Sequence, residues 1–248
     1  MKGPVQDGTF LDHLEELRRR IICIIAWFFI ACILSYVLNN QLLKYAIKPL
    51  NNIQETPVFV SPVEPFFSVL KVVVFSGLLL SYPFIIYQIY AFVKPALSKQ
   101  QGKLLGLCLL AMIVLFYSGI CLSHFIIVPA GIKILFSFGA GLMEPMIAIS
   151  HYLSFIIWMD LLVGLIFQVP AVIFFLGITG IIDIARLKKI RKFIYVAIII
   201  SSAIITPTVD AFTMLIVSGI VILLYEISLG LIGLSLKCKT LEDKSLSK

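Results

Sequence analysis

The sequence predicts an all-α integral membrane protein with six transmembrane helices, both termini cytoplasmic, kinked helices and two short C-terminal spans. Three observations carry this. Of 248 residues, 60% are hydrophobic and 13% charged, with a mean hydropathy of +1.08, whereas soluble domains run at about 45–50% and about 25%. Charges are excluded from 21–43, 72–93, 104–132, 145–182 apart from Asp160, 193–209, and 211–236 apart from Glu226. Most Lys and Arg fall in alternate intervening segments, and only Lys44, Lys48, Lys71 and Lys133 lie on or near the other side. A charge at the bilayer centre costs about 2.5–3.5 kcal/mol and about 20 apolar residues cross, so each interval holds one span. Backbone groups in lipid must bond internally, which selects helices, and the basic bias puts both termini inside.

Residues 1–20 read as a cytoplasmic amphipathic helix. Thr9 followed by Asp12 fits a capping pattern, and Phe10, Leu14, Leu17 and Ile21 recur at three-to-four spacing. Asp12, Glu15 and Glu16 lie off that stripe, followed by Arg18, Arg19 and Arg20, which also read as topology anchors. The segment is polar and runs into a spanning stretch, so no removable signal peptide is expected. The first external loop, 44–66, carries Pro49, Pro57, Pro62 and Pro65, and 39–47 suits a short amphipathic helix near the interface. Pro83 reads as a kink in the second span. The second external segment, roughly 129–150, holds Pro129, Gly131, Gly139, Gly141 and Pro145.

The fourth span, about 152–177, contains the least expected residues. Asp160 interrupts an apolar run, and Gln168 lies about 80° further around the helix, so both can face one groove beside a kink at Pro170. A helix-to-helix hydrogen bond is the plainer alternative for each. The fifth span, Phe193 to about Thr206, reaches roughly 21 Å against a core of about 30 Å. The sixth runs from Ala211 to Tyr225 before Glu226, so either the bilayer thins here or Glu226 sits at the inner interface. Only Pro207 to Asp210 separate the two, and 234–248 form a cytoplasmic tail. With no internal repeat or long linker, 1–248 reads as a single six-span domain.

Enzyme chemistry finds no template. There is no H-E-x-x-H motif, no intramembrane Gly-x-Ser-Gly and no phosphate-binding Gly loop. His13, His124 and His151 fall in separate segments, and Cys23, Cys32, Cys108, Cys121 and Cys238 show no metal or redox spacing. No cofactor or metal is expected. The net charge of +7 reports topology rather than nucleic-acid binding. Two function classes stand: a protein translocase subunit, and a small-solute transporter with Asp160 and Gln168 as a midplane pair. The lack of an internal repeat favours the first.

Several motifs in order carry a resemblance. They are His13-Leu-Glu-Glu-Leu-Arg18, Ser61-Pro-Val-Glu64-Pro-Phe-Phe67, Tyr82-Pro83, and Tyr87-Gln-Ile-Tyr-Ala-Phe92-Val-Lys-Pro95-Ala-Leu97. Then follow Phe125-x-x-x-Pro129, Tyr152-Leu-Ser-Phe155, Phe167-Gln-Val-Pro170, Thr206-Pro207 with Asp210, and Tyr225-Glu226-Ile227. Over about residues 9–233 the sequence resembles the TatC family, the multispanning core of the twin-arginine protein translocase. The resemblance implies a signal-peptide receptor in the cell membrane rather than an enzyme. It also implies TatA- and TatB-type single-span partners, self-assembly, and export of folded cargo driven by the proton-motive force. It assigns signal-peptide binding to Glu16, Arg18, Phe92, Pro95 and the position of Gln101, where the family commonly has glutamate. It places Gln168 and Asp210 among polar partner contacts, to which the reading of the fourth span adds Asp160, outside the family motif and with its role open, and Pro49, Glu64 and Phe67 in an external cap. An amide at position 101 accepts a hydrogen bond without charge pairing, so recognition leans on Glu16, helped by Glu15 or Asp12, or the chain is a variant receptor.

Overall fold

The computed structural model describes residues 10–51, 57–96, 99–137, 146–178, 189–205 and 214–230. Their helices are α1 (Phe10–Val37), α2 (Asn39–Asn51), α3 (Glu64–Val93), α4 (Lys99–Leu122), α5 (Val128–Ser137), α6 (Ile149–Ile166), α7 (Val169–Ile178), α8 (Arg191–Ile205) and α9 (Met214–Gly230). A π-helical turn, Ser123–Ile127, joins α4 to α5, and a turn at Phe167–Gln168 joins α6 to α7. Four apolar stretches are long enough to span a membrane, at Asp12–Val37, Glu64–Val93, Leu105–Ser137 and Ile149–Gly177. α8 and α9 are the two shorter ones, at roughly 22 and 25 Å. The fold is an all-helical membrane bundle. Among the described residues the only β-type pairing is an isolated bridge, Val58 with Ala148, which ties the segment before α3 to the segment before α6.

α1 confirms that the N-terminal amphipathic segment and the first span are one helix. Within the charge-free interval 21–43, α1 stops at Val37 and the chain turns at Leu38. Asn39 and Asn40 follow, residues whose side chains compete for backbone partners, and Asn39 Nδ2 donates to Tyr36 O at 2.5 Å. The short helix expected at 39–47 is α2, which runs on to Asn51. Its Leu50 is fully buried, while Leu42, Leu43, Ala46 and Ile47 pack on the core.

α6 forms the centre of the bundle, burying Tyr152, Leu153, Ile156, Met159, Asp160, Val163 and Gly164 against α3, α4 and the π turn. Close approach is set by missing side chains. A Cβ on Gly119 of α4 would lie 2.9 Å from Phe167 Cγ and 3.1 Å from Gly164 Cα, and one on Gly77 of α3 would lie 2.5 Å from Cys32 Sγ of α1. Helices in lipid lack a hydrophobic drive to associate, so such contact supplies much of the cohesion. The outer faces carry exposed large apolar residues such as Phe29, Ile33, Leu110 and Phe193, as a lipid-facing surface requires.

Each proline inside a span leaves a carbonyl without its donor, and the bundle compensates locally. α3 continues through Pro83 as α-helix, and the Tyr117 hydroxyl of α4 donates to the freed Leu79 O at 2.7 Å. Before Pro129 the helix widens, with Val128 N–H donating to Ser123 O across the π turn. Before Pro170 the Gln168 N–H turns to Leu165 O at 3.0 Å, and Gln168 Nε2 approaches the abandoned Gly164 O at 3.4 Å. The interruption expected beside Pro170 is thus present, and α3, read as kinked at Pro83, runs through that residue as α-helix.

Candidate functional site

At the basic end of the bundle, α1 lies against the last turns of α3, and Arg20 joins them. Its Nε donates to Glu16 Oε1 at 3.1 Å, Nη1 to Gln88 Oε1 at 3.1 Å, and Nη2 to Ala91 O at 3.1 Å and to Glu16 Oε1. Only a planar guanidinium reaches three such acceptors at once, so Arg20 is more than a topology anchor. All of these bonds to Glu16 fall on Oε1, and the Glu16 side chain keeps 34% exposure. Arg18 is exposed and leaves this network to Arg20. Nearby, Phe92 is half-buried, and Pro95 is exposed in a 3₁₀ turn, Lys94–Ala96, with Lys94 Nζ 5.6 Å from the Tyr90 ring centre. Gln101 falls in the first turn of α4, with its side chain outside the described residues. On the other flank of α3, an apolar cavity of about 160 Å³ is lined by Ile86, Tyr90, Val93, Cys108, Met112 and Phe175, among others.

The polar residues of the fourth span do not share a groove. Gln168 is buried and donates to Met112 O of α4 at 3.2 Å, which makes it a helix-to-helix tie. Asp160 lies two turns away and meets His124, whose Nδ1 is 3.1 Å from Asp160 Oδ2. Gln168 and Asp160, the pair on which the small-solute alternative rested, thus bond to separate partners. His124, which has no carboxylate at helical spacing in the sequence, gains one across the α6 contact. Asp210 lies outside the described residues, as does the 234–248 tail.

The ends of the spans carry further polar ties. At the end opposite the basic one, Lys71 Nζ of α3 donates to Ser150 O at 3.1 Å, Ser150 Oγ at 2.7 Å and Ser154 Oγ at 2.8 Å. Glu64 Oε2 accepts from Val60 N at 2.5 Å and Ser61 N at 3.4 Å, folding the loop onto the start of α3. Phe67 is exposed and packs edge-on to Phe66, and Pro49 is buried at the end of α2. At the other end of the short spans, the Tyr195 hydroxyl donates to Glu226 Oε1, and Arg191 Nη1 stands 3.6 Å from Glu226 Oε2.

The family described as Sec-independent protein translocase protein (TatC) matches residues 12–219. This chain belongs to the TatC family. A relative in Synechocystis sp., named Sec-independent protein translocase protein TatC, is 31% identical over 226 residues, covering 91% of this chain and 88% of its own. One of the same name in Carboxydothermus hydrogenoformans is 31% identical over 221 residues, covering 89% and 91%. A crystal structure described as the twin-arginine translocase receptor TatC superposes with a TM-score of 0.76 at 30% identity, covering 90% of this chain and 98% of that one.

TatC membership makes the chain a protein translocase component rather than a catalytic enzyme. Arg20, His124 and Lys71 are the polar residues that sequence reasoning passed over. Each was legible only as a charge or an imidazole near a span. Their cross-helix partners Gln88, Asp160 and Ser150 lie 68, 36 and 79 positions away, beyond any helical spacing, and only the Arg20 contact to Glu16 is at a helical spacing of four.

Proposed function

We propose that this chain is the receptor subunit of a twin-arginine translocase, holding the paired arginines of a cargo signal peptide at the basic end of the bundle. The observation that supports this best is the Glu16 carboxylate, pinned against α3 through Arg20 by Oε1 while its side chain keeps access to solvent. A carboxylate oxygen facing outward takes a guanidinium in a directed pair, and a lysine ammonium meets that geometry less well. Phe92, Pro95 and Arg18 lie at the same end and complete the surface, with Glu15, Asp12 and Gln101 as neighbours along the chain.

On this reading the basic end is cytoplasmic, both termini lie inside, and the bundle sits in the cell membrane as a single domain. TatA- and TatB-type single-span proteins pack on its lipid-facing helices, copies of the chain assemble with one another, and the proton-motive force drives export of folded cargo. Pro49, Glu64 and Phe67 shape the external cap, where the Glu64 contacts and the Val58 bridge stiffen the loop. Site-specific photocrosslinking from residues 12–17 to a signal peptide tests the reading. Arg-Arg peptide labels in preference to its Lys-Lys counterpart; equal labelling of the two refutes it.

A further inference from the structure

The Asp160 and His124 pair has no part in the peptide site, and its surroundings suggest a separate task. Counted from Ile149, Asp160 lies roughly 16 Å along α6, close to half of a hydrocarbon core of about 30 Å. It is 1% exposed, and besides His124 the Ser123 hydroxyl of the π turn faces its carboxylate. His124 stands on the π-helical turn, which shifts the face of the helix, and both residues line a cavity of about 240 Å³ between α2, α3, α4 and α6. That volume has room for several waters, and its polar lining is Asp160, His124, Ser76, Tyr45 and Lys48. A carboxylate at this depth is costly alone, and buried acid–imidazole pairs beside water are the groups that carry protons within membranes.

The other groups facing the pair do not neutralise it through contact. From α2 the cavity is bordered by Lys48 and Tyr45, both exposed, and from α4 by Cys121. α3 contributes no titratable side chain to the lining, since Lys71 is turned to Ser150 and Ser154. On α6 itself the Tyr152 hydroxyl donates to Ala46 O at 3.5 Å. α8 and α9 meet this core through Ile198, Val217 and Val221, and α5 and the π turn add Ile132 and Ile127, none of them titratable.

We propose that His124 and Asp160 form a proton-binding site, loaded by hydronium from the face opposite the basic end through the cavity beside α2. Hydronium gives one proton to the pair and leaves as water, and the pair passes from one negative charge to neutral. Release reverses the step. The buried charge at the crossing of α4 and α6 is then set by acidity on that face, which is external on the orientation proposed above. The proposal rests on that reading only for the word external.

Infrared difference spectra of the full chain in lipid nanodiscs between acid and alkaline buffer test the site itself. The wild type shows a carboxyl band that titrates; Asp160→Asn abolishes it, and His124→Gln moves its midpoint by about one pH unit or more. Spectra of wild type and Asp160→Asn that superimpose overturn the proposal. The route is read in a chain whose only cysteine is Cys121, sealed in proteoliposomes, using a charged membrane-impermeant methanethiosulfonate. Labelling from the α2 side supports the entry path, and labelling absent from that side overturns it. Preference of the wild type for Arg-Arg over Lys-Lys peptide in the same preparation reads the receptor function separately.

Discussion

Replacing Tyr117 by phenylalanine tests how the bundle tolerates a proline in mid-membrane. Pro83 has no N–H to offer Leu79 O, and the Tyr117 hydroxyl supplies the missing donor at 2.7 Å from the neighbouring helix. Tyr117→Phe keeps the ring, and with it the edge contact to Tyr82 at 6.4 Å between centres, but leaves that carbonyl unsatisfied. An orphaned buried acceptor costs about 1–3 kcal/mol in water-soluble cores, and interhelical bonds in lipid average about 0.6 with a maximum near 1.7. The expected loss is therefore about 1 kcal/mol. In a Pro83→Ala background the restored N–H can serve Leu79 O, so the same substitution should cost about half as much or less. Reversible unfolding in mixed micelles, followed by circular dichroism across the four members of the cycle, measures this. Equal losses in both backgrounds, within about 0.3 kcal/mol, refute the reasoning, because Tyr117 would then be serving something other than the proline gap.

Two further outcomes concern the basic end. Arg20→Lys keeps the charge at the membrane edge but cannot reach Glu16, Gln88 and Ala91 together; a loss of about 1–2 kcal/mol in holding α1 on α3 should lower signal-peptide labelling from α1 by about 5–30-fold. Wild-type labelling in that variant would return Arg20 to a topology anchor. Gln101→Glu should raise the yield of signal-peptide crosslinking several-fold by adding a charged acceptor near the peptide site, and an unchanged yield excludes the start of α4 from the contact.

Much of the fold was legible because lipid imposes a local rule. The intervals free of charge located every described span, and the uneven lysines and arginines marked one end of the bundle. What the sequence leaves open falls where that rule is silent. At 21–43 no charge marks the turn after Val37, since the stop is made by asparagine side chains rather than by polarity cost. At Pro83 the sequence reads as a kink, and it does not show that a hydroxyl on another helix serves the carbonyl the proline leaves free. The candidate site was read in part: Glu16 stood out by its motif, while Arg20 was hidden among three adjacent arginines that look alike along the chain.

By itself the sequence determined the membrane class, the placement of the spans, the basic end and the family motifs. Each of these follows from a residue's own cost in hydrocarbon or from a short ordered pattern. Only the tertiary structure decided which polar groups meet. Asp160 finds His124 rather than Gln168, and Arg20 finds Gln88, because helix rotation and crossing are set by close contacts such as Gly119 on Phe167 and Gly77 on Cys32. Those contacts join residues far apart along the chain, and no local cost or period encodes them.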